Sequence, residues 1–159
     1  MKLNVVLVEP EIPQNTGNIA RTCAATGGKL HLVHPLGFSI SEKQVKRAGL
    51  DYWDKLEIEE HNSFADFLKK YPPETNNMFF LTTKGQKCYT EVDYSKMDEV
   101  FLLFGRETKG LPEDILQKYI EKAVRIPMRE TLRSLNLSNS VAIVVYEVLR
   151  QHNFENLEE

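Results

Sequence analysis

Five short runs of almost unbroken apolar residues recur along the chain: Leu3 to Val8, Leu30 to Val33, Met78 to Thr82, Val100 to Phe104 and Ala123 to Ile126. A strand with one wet face alternates apolar and polar residues. A run without alternation is covered on both faces, the condition of a parallel sheet held between helices. The intervening segments carry helical periodicity. Asn15 to Ala25 sets Ile19, Ala20, Cys23 and Ala24 on one stripe and stops at Gly27-Gly28, where a left-handed residue can close a helix. Ser63 predicts the cap of a helix whose inner face is Phe64, Phe67, Leu68 and Tyr71 and which ends at Pro72-Pro73. Pro112 suits a first helical position, with Glu113 and Asp114 at the positive dipole end and Ile115, Leu116, Tyr119 and Ile120 as the core stripe. The alternation predicts an α/β fold, a parallel β-sheet flanked by helices, in a single domain over residues 1–159 with an acidic tail from about 151 to 159.

The helix expected after Ser140 carries Val141, Ala142, Ile143, Val144, Val145, Tyr146, Val148 and Leu149. That apolar surface is wider than one sheet can cover, which predicts a homodimer with this helix at the interface. No stretch approaches the roughly 20 apolar residues of a membrane span, and the N-terminus runs straight into a strand pattern; a cytoplasmic location is expected. Cys23 and Cys88 lack paired spacing and read as ordinary thiols. The net charge is −3, which argues against bulk attraction to nucleic acid. The average conceals an asymmetry: residues 1–50 hold six Lys or Arg against three acids, leaving 14 basic and 20 acidic residues to the remainder. Lys43, Lys46 and Arg47 would share one helical face, fit either for solvent or for a phosphate backbone.

Open α/β sheets bind ligands beyond the carboxyl ends of their strands, so the loops there carry the chemistry. After the first run comes Glu9-Pro10-Glu11-Ile12-Pro13-Gln14-Asn15-Thr16-Gly17-Asn18, entering a helix that bears Arg21. Later come Thr82-Thr83-Lys84-Gly85, Gly105-Arg106-Glu107-Thr108-Lys109-Gly110, and the loop from Ile126 to Ser140. Asn136, Ser138, Asn139 and Ser140 are capping residue types; they suit a plain helix cap and a polar-ligand site equally. Gly105 to Gly110 has the gap of a P-loop, but Leu111-Pro112 replaces Lys-Ser/Thr, and no Gly-x-Gly-x-x-Gly follows a strand. His31 and His34, three residues apart at a strand end, should diverge, and no carboxylate or cysteine cluster joins them, so no metal site is expected. What remains is glycine, amides, hydroxyls, Arg21 and Glu107, an inventory that leaves the hard chemistry to a cofactor.

Three segments carry a specific likeness: Asn15-x-x-Gly-Asn18-x-x-Arg21, Phe104-Gly105-x-Glu107-x-x-Gly110-Leu111-Pro112, and Ile126-Pro127-Met128 leading into Arg133-Ser134-Leu135-Asn136-Leu137-Ser138-Asn139-Ser140. In this order they resemble the three motifs of the SPOUT-class RNA 2′-O-ribose methyltransferases. Glu9 to Pro13 and Arg47 to Tyr52 are similar to the TrmL group, which methylates the wobble nucleotide, cytidine or modified uridine 34, of leucine tRNAs. The resemblance implies a C-terminal trefoil knot holding S-adenosyl-L-methionine, with S-adenosyl-L-homocysteine as product and no metal. It places Leu81, Gly105, Ile126, Ser134 and Leu135 on the cofactor, and Arg21, Asn15, Glu107, Ser138 and Asn139 in the catalytic part. The partner implied is tRNA, with Lys43, Lys46, Arg47, Lys84, Arg129 and Arg133 as candidate backbone contacts. Two further readings keep the fold: methylation of another RNA nucleotide, and a non-catalytic RNA-binding or assembly protein. Guanidinium stays protonated far above neutrality, so Arg21 suits a phosphate or alkoxide clamp better than a general base.

Overall fold

The computed structural model describes residues 1–39 and 53–158. Seven strands form one sheet: β1 (Lys2–Val8), β2 (Lys29–Val33), β3 (Ile58–His61), β4 (Met78–Leu81), β5 (Lys87–Cys88), β6 (Glu99–Phe104) and β7 (Ala123–Arg125). Their order is β3-β2-β1-β6-β4-β7-β5, and every pairing is parallel. Among the described residues four helices flank them: α1 (Pro13–Thr26), α2 (Phe64–Lys70), α3 (Glu113–Lys118) and α4 (Leu137–Gln151).

The unbroken apolar runs are explained by two cores. Val5, Leu7, Leu30, Leu32 and Leu102 face α1 and α4 through Ile19, Cys23, Val144 and Val148. The intervening residues Val6, Val8, Val33, Phe101 and Leu103 face Phe67 of α2, Leu116 of α3 and Tyr119 just after it. Successive side chains of a strand point to opposite faces, so a sheet with two covered faces requires apolar residues at every position.

β3 and β5 were not among the expected strands, and both are edges of the sheet. β3 reads Ile-Glu-Glu-His and pairs with β2 on one side only; β5 is two residues long. An edge strand lacks full cover and so lacks the apolar run. Helix boundaries also differ from expectation by a few residues. α1 starts at Pro13 and closes at Gly27, whose φ is 77°. Pro112 stands just before α3, at its N-cap, instead of inside it. α4 begins at Leu137, ahead of Ser140, because Asn136 supplies the cap. Beyond α4 the tail turns back through Asn153, Phe154 and Asn156, all at positive φ, and Leu157 packs on the first core.

α4 buries Val141, Val144, Val145, Val148 and Leu149 and leaves Ile143 and Tyr146 exposed at 37% and 47%. Its packing partner among the helices is α1. No helix among the described residues is long and apolar enough to cross a membrane. Lys43, Lys46 and Arg47, and the segment Arg47 to Tyr52, lie outside the described residues.

Candidate active site

The chain winds from β1 outward to β3, then crosses to β4 on the other side, and β6 fills the place beside β1. Connections therefore leave the carboxyl ends of β1 and β6 in opposite directions, and a crevice opens between them. The loops after β1 and β6 meet there and exchange hydrogen bonds.

Glu107 makes the central contacts. Its carboxylate accepts from the backbone N–H of Glu11 at 3.0 Å and of Ile12 at 2.7 Å, and from Asn15 Nδ2 at 3.4 Å. Ile12, at the N-cap of α1, offers no side-chain cap of its own, so Glu107 places its negative charge at a helix start whose free N–H groups call for it. Two more links fasten the loops. Arg106 Nη2 donates to Glu9 Oε1 at 2.7 Å, and Glu9 sits at φ 53°, a left-handed conformation that non-glycine residues rarely hold. Thr108 donates to Glu11 Oε1 through its hydroxyl at 2.7 Å and its N–H at 3.2 Å. The hydroxyl bond, then the N–H bond, hold the Glu11 carboxyl below its ordinary range.

The third loop joins through one amide. Asn15, 5% exposed, accepts from Asn136 Nδ2 at 3.1 Å while donating to Glu107. The other end of Asn136 caps α4: its Oδ1 accepts from Ser138 N–H at 2.9 Å, Ser138 Oγ at 2.6 Å and Asn139 N–H at 3.3 Å. Asn15 is thus bonded to both of the other loops.

These loops bound a cavity of about 550 Å³, adjoined by a smaller one of about 100 Å³ that shares Leu81, Thr82, Thr83, Ser134, Leu135 and Ser140 with it. The combined space is in the range of small-molecule sites. Of the residues singled out in the sequence, Leu81, Gly105, Ser134, Leu135, Asn15 and Glu107 line the larger cavity, and Ile126 lines the smaller. Lys84, bonded to Glu113, and Arg133 also line the larger cavity. Arg129 is exposed and lines neither.

Three expected catalytic side chains stand apart. Arg21 is on the exposed side of α1 and lines neither cavity of its own chain. Ser138 and Asn139 occupy the first turn of α4, where the Asn136 cap engages them; Asn136 and Ser140 line the cavity in their place. Arg106 stands within a quoted segment with no role assigned, and Asn136 carries only the capping role of its residue type, because nothing local marks a side chain whose partner is 97 or 121 positions away.

Gly105 is held to glycine by its own loop. A Cβ there would stand 2.0 Å from the carbonyl carbon of Gly110 and 2.2 Å from the nitrogen of Leu111. The residue is glycine because its own loop folds back on it, as the paired bonds between Arg106 and Gly110 show (3.2 and 2.8 Å). Gly85 is similarly pressed, with a Cβ falling 2.5 Å from the carbonyl carbon of Val124, and Arg125 donates to the carbonyls of Gly85 and Gln86. The donor set fits a nucleoside-bearing cofactor: main-chain groups beside Gly105 and Ser134, apolar walls from Leu81, Ile126 and Leu135, and a cationic rim.

Fold and site are those of an open α/β protein with a cavity at a topological switch point. The family model described as SpoU rRNA Methylase matches residues 2–146, and the chain belongs to that family of methyltransferases. The tRNA (cytidine(34)-2′-O)-methyltransferase of Escherichia coli (strain K12) is 48% identical over 150 residues, covering 94% of this chain and 93% of that protein. A solved structure described as giving structural insights into the 2-OH methylation of C/U34 on tRNA superposes with a TM-score of 0.89 at 43% identity, over 96% of this chain and 97% of the other. The AdoMet-bound rRNA methyltransferase of Sinorhizobium meliloti superposes with a TM-score of 0.84 at 27% identity, over 94% of this chain and 56% of the longer one.

Proposed function

We propose that the protein transfers a methyl group from S-adenosyl-L-methionine to the ribose 2′-hydroxyl of nucleotide 34, cytidine or modified uridine, of tRNA, with leucine tRNAs as its substrates and the cytoplasm as its place of work. The observation that carries this reading is the cavity itself: three separated motifs meet around it through the single amide of Asn15. The end-to-end likeness to enzymes of nucleotide 34 supplies the target.

When bound, the cofactor supplies an electrophilic sulfonium methyl, and no metal takes part. Leu81, Ile126 and Leu135 hold its apolar parts, and the backbone around Gly105 and Ser134 reads its polar edge. Asn15 and Glu107 act as positioning residues that keep the first two loops in register. Ser138 and Asn139 act through the start of α4. The close passage of Gly85 against Val124 and Arg125 supports a trefoil threading of the segment after β7.

Arg21 fits this scheme in a homodimer formed over the exposed Ile143 and Tyr146 of α4, the guanidinium of one subunit serving the cavity of the other. There it clamps the phosphate next to the target ribose or the developing alkoxide. Lys84, Arg129 and Arg133, with Lys43, Lys46 and Arg47, provide the remaining backbone contacts.

The test is incubation with methyl-labelled S-adenosylmethionine and total tRNA, followed by mapping of the labelled nucleotide. Label on the ribose of nucleotide 34 in leucine tRNAs, unchanged by EDTA, is expected; label elsewhere, or none, rejects the assignment. Sedimentation showing a monomer at micromolar concentration rejects the dimer.

A further inference from the structure

The opposite edge of the sheet carries a second cluster, none of whose residues lines the cavity. His34 diverges from His31, as strand spacing predicts, and pairs with Glu60 at 2.7 Å. The acid that His31 lacks in its own stretch of sequence comes from β3. Glu59 is the register partner of His31, and His61 follows it on the same face. His31 Nδ1 lies 3.0 Å from His61 Nε2, His61 Nε2 lies 3.0 Å from Glu59 Oε2, and His31 Nδ1 lies 3.8 Å from that oxygen. These are the three groups of the described residues whose ligand atoms converge in this way.

The spacing has a chemical meaning. Ligand atoms held at about 2.0–2.2 Å by one tetrahedral zinc ion stand roughly 3.3 Å apart, and the three observed edges straddle that value. His31 Nε2 lies 2.8 Å from Asn4 Oδ1, a contact that makes Nε2 the N–H donor and leaves the Nδ1 lone pair to the cluster. Zinc-binding histidines are oriented by such an outer acceptor. His31 is fully buried, with the rings of Phe67, Tyr71 and Phe101 around it, so water competes poorly for its lone pair.

We propose that His31, Glu59 and His61 form a binding site for one zinc-class divalent cation, a staple between β2 and the edge strand β3. The two facing imidazole nitrogens share a single proton when no ion is bound. On binding, that proton passes by way of solvent to His61 Nδ1, so both rings stay neutral; His31 Nδ1, His61 Nε2 and Glu59 Oε2 each donate a lone pair to the ion, and water takes the fourth position. Lys29 keeps its bond to the other carboxylate oxygen, Glu59 Oε1, at 3.0 Å. Lys70 is the cation to be displaced: it sits 3.2 Å from Glu59 Oε2, and its side chain, 58% exposed, can withdraw into solvent. The staple is independent of methyl transfer.

The test uses the untagged full-length protein, stripped with EDTA and titrated with cobalt(II) and then zinc(II). One equivalent of cobalt should give the visible absorption of a four-coordinate nitrogen and oxygen site, and zinc should abolish it. Zinc should also raise the melting temperature by about 5 °C, since an ion that binds only the folded chain stabilises it. Glu59→Gln, which keeps the side-chain shape, and His61→Ala should lose cobalt uptake, while Lys70→Ala should tighten it about threefold. Failure of the wild type to give the cobalt spectrum, or its persistence in Glu59→Gln, overturns the proposal. Should His61→Ala fail to fold, Glu59→Gln and Lys70→Ala decide the matter alone.

Discussion

Two helices that begin at the cavity, α1 and α4, start in opposite ways. α4 is capped from within: Asn136 Oδ1 takes the N–H groups of Ser138 and Asn139, two and three residues on. α1 has no cap in its own sequence and takes one from Glu107, 95 positions away from Ile12. The first arrangement survives wherever the segment goes. The second exists only when the loop after β6 is docked on the loop after β1, so helix start and site assembly are one event. Asn15 couples the two through a single amide.

The sharpest way to break this contrast is Glu107→Ala. It strands two backbone N–H groups and the Asn15 amide, and charge-assisted bonds of this kind are worth about 1.5–3 kcal/mol. A stability loss of about 2–3 kcal/mol is expected in chemical denaturation. Methyl transfer should fall at least about 100-fold, because displacing a positioned group by an ångström costs that much. Loss of activity with unchanged stability would mean that Glu107 touches substrate and does not serve as the cap of α1. Asn15→Ala comes next, at about 1–2 kcal/mol for a buried amide with a partner on each side. Asn136→Ala should cost about 1 kcal/mol, the ordinary value of a lost N-cap. The coupling is sharpened by the double variant Glu107→Ala with Asn136→Ala. If Asn15 transmits between the loops, the two losses will depart from additivity by more than about 0.5 kcal/mol; strict additivity would make the loops independent.

The same contrast marks what the sequence discloses. The Ser63 cap of α2, the central strands and the Asn136 region depend on neighbours within a few residues, and each left a local sign. β3 left none: an edge strand reading Ile-Glu-Glu-His has no apolar run, and its meaning comes only from lying beside His31. Gly105 stands in one of the quoted motifs, but the atoms that crowd it belong to Gly110 and Leu111, and no local pattern distinguishes a chain folding back from a ligand approaching. The motif likeness brought Leu81, Ile126 and Ser134 to one place, which periodicity could not do. Arg21 shows the limit of that likeness for a single chain, since its exposed position gives it no place in its own cavity.

The smallest expected effect concerns Thr108, the outermost link of the long-range cap. Its hydroxyl, first, and its N–H, second, lower the pKa of Glu11 from the ordinary 4.5. A carboxyl depressed in the folded state binds fewer protons there than in the unfolded chain, so its contribution is fully present above pH 4.5 and disappears as pH falls through the lower folded value. Thr108→Val removes the hydroxyl and keeps the N–H. The variant should melt slightly below the wild type at pH 7, with the gap narrowing steadily below pH 4.5. Because Glu11 is solvated, salt should shrink the gap at neutral pH as well. A gap that stayed constant from pH 7 to pH 3 would assign the loss to packing of the Thr108 side chain, and the link between the first two loops would then rest on Glu107, the Arg106–Glu9 pair and the Thr108 N–H.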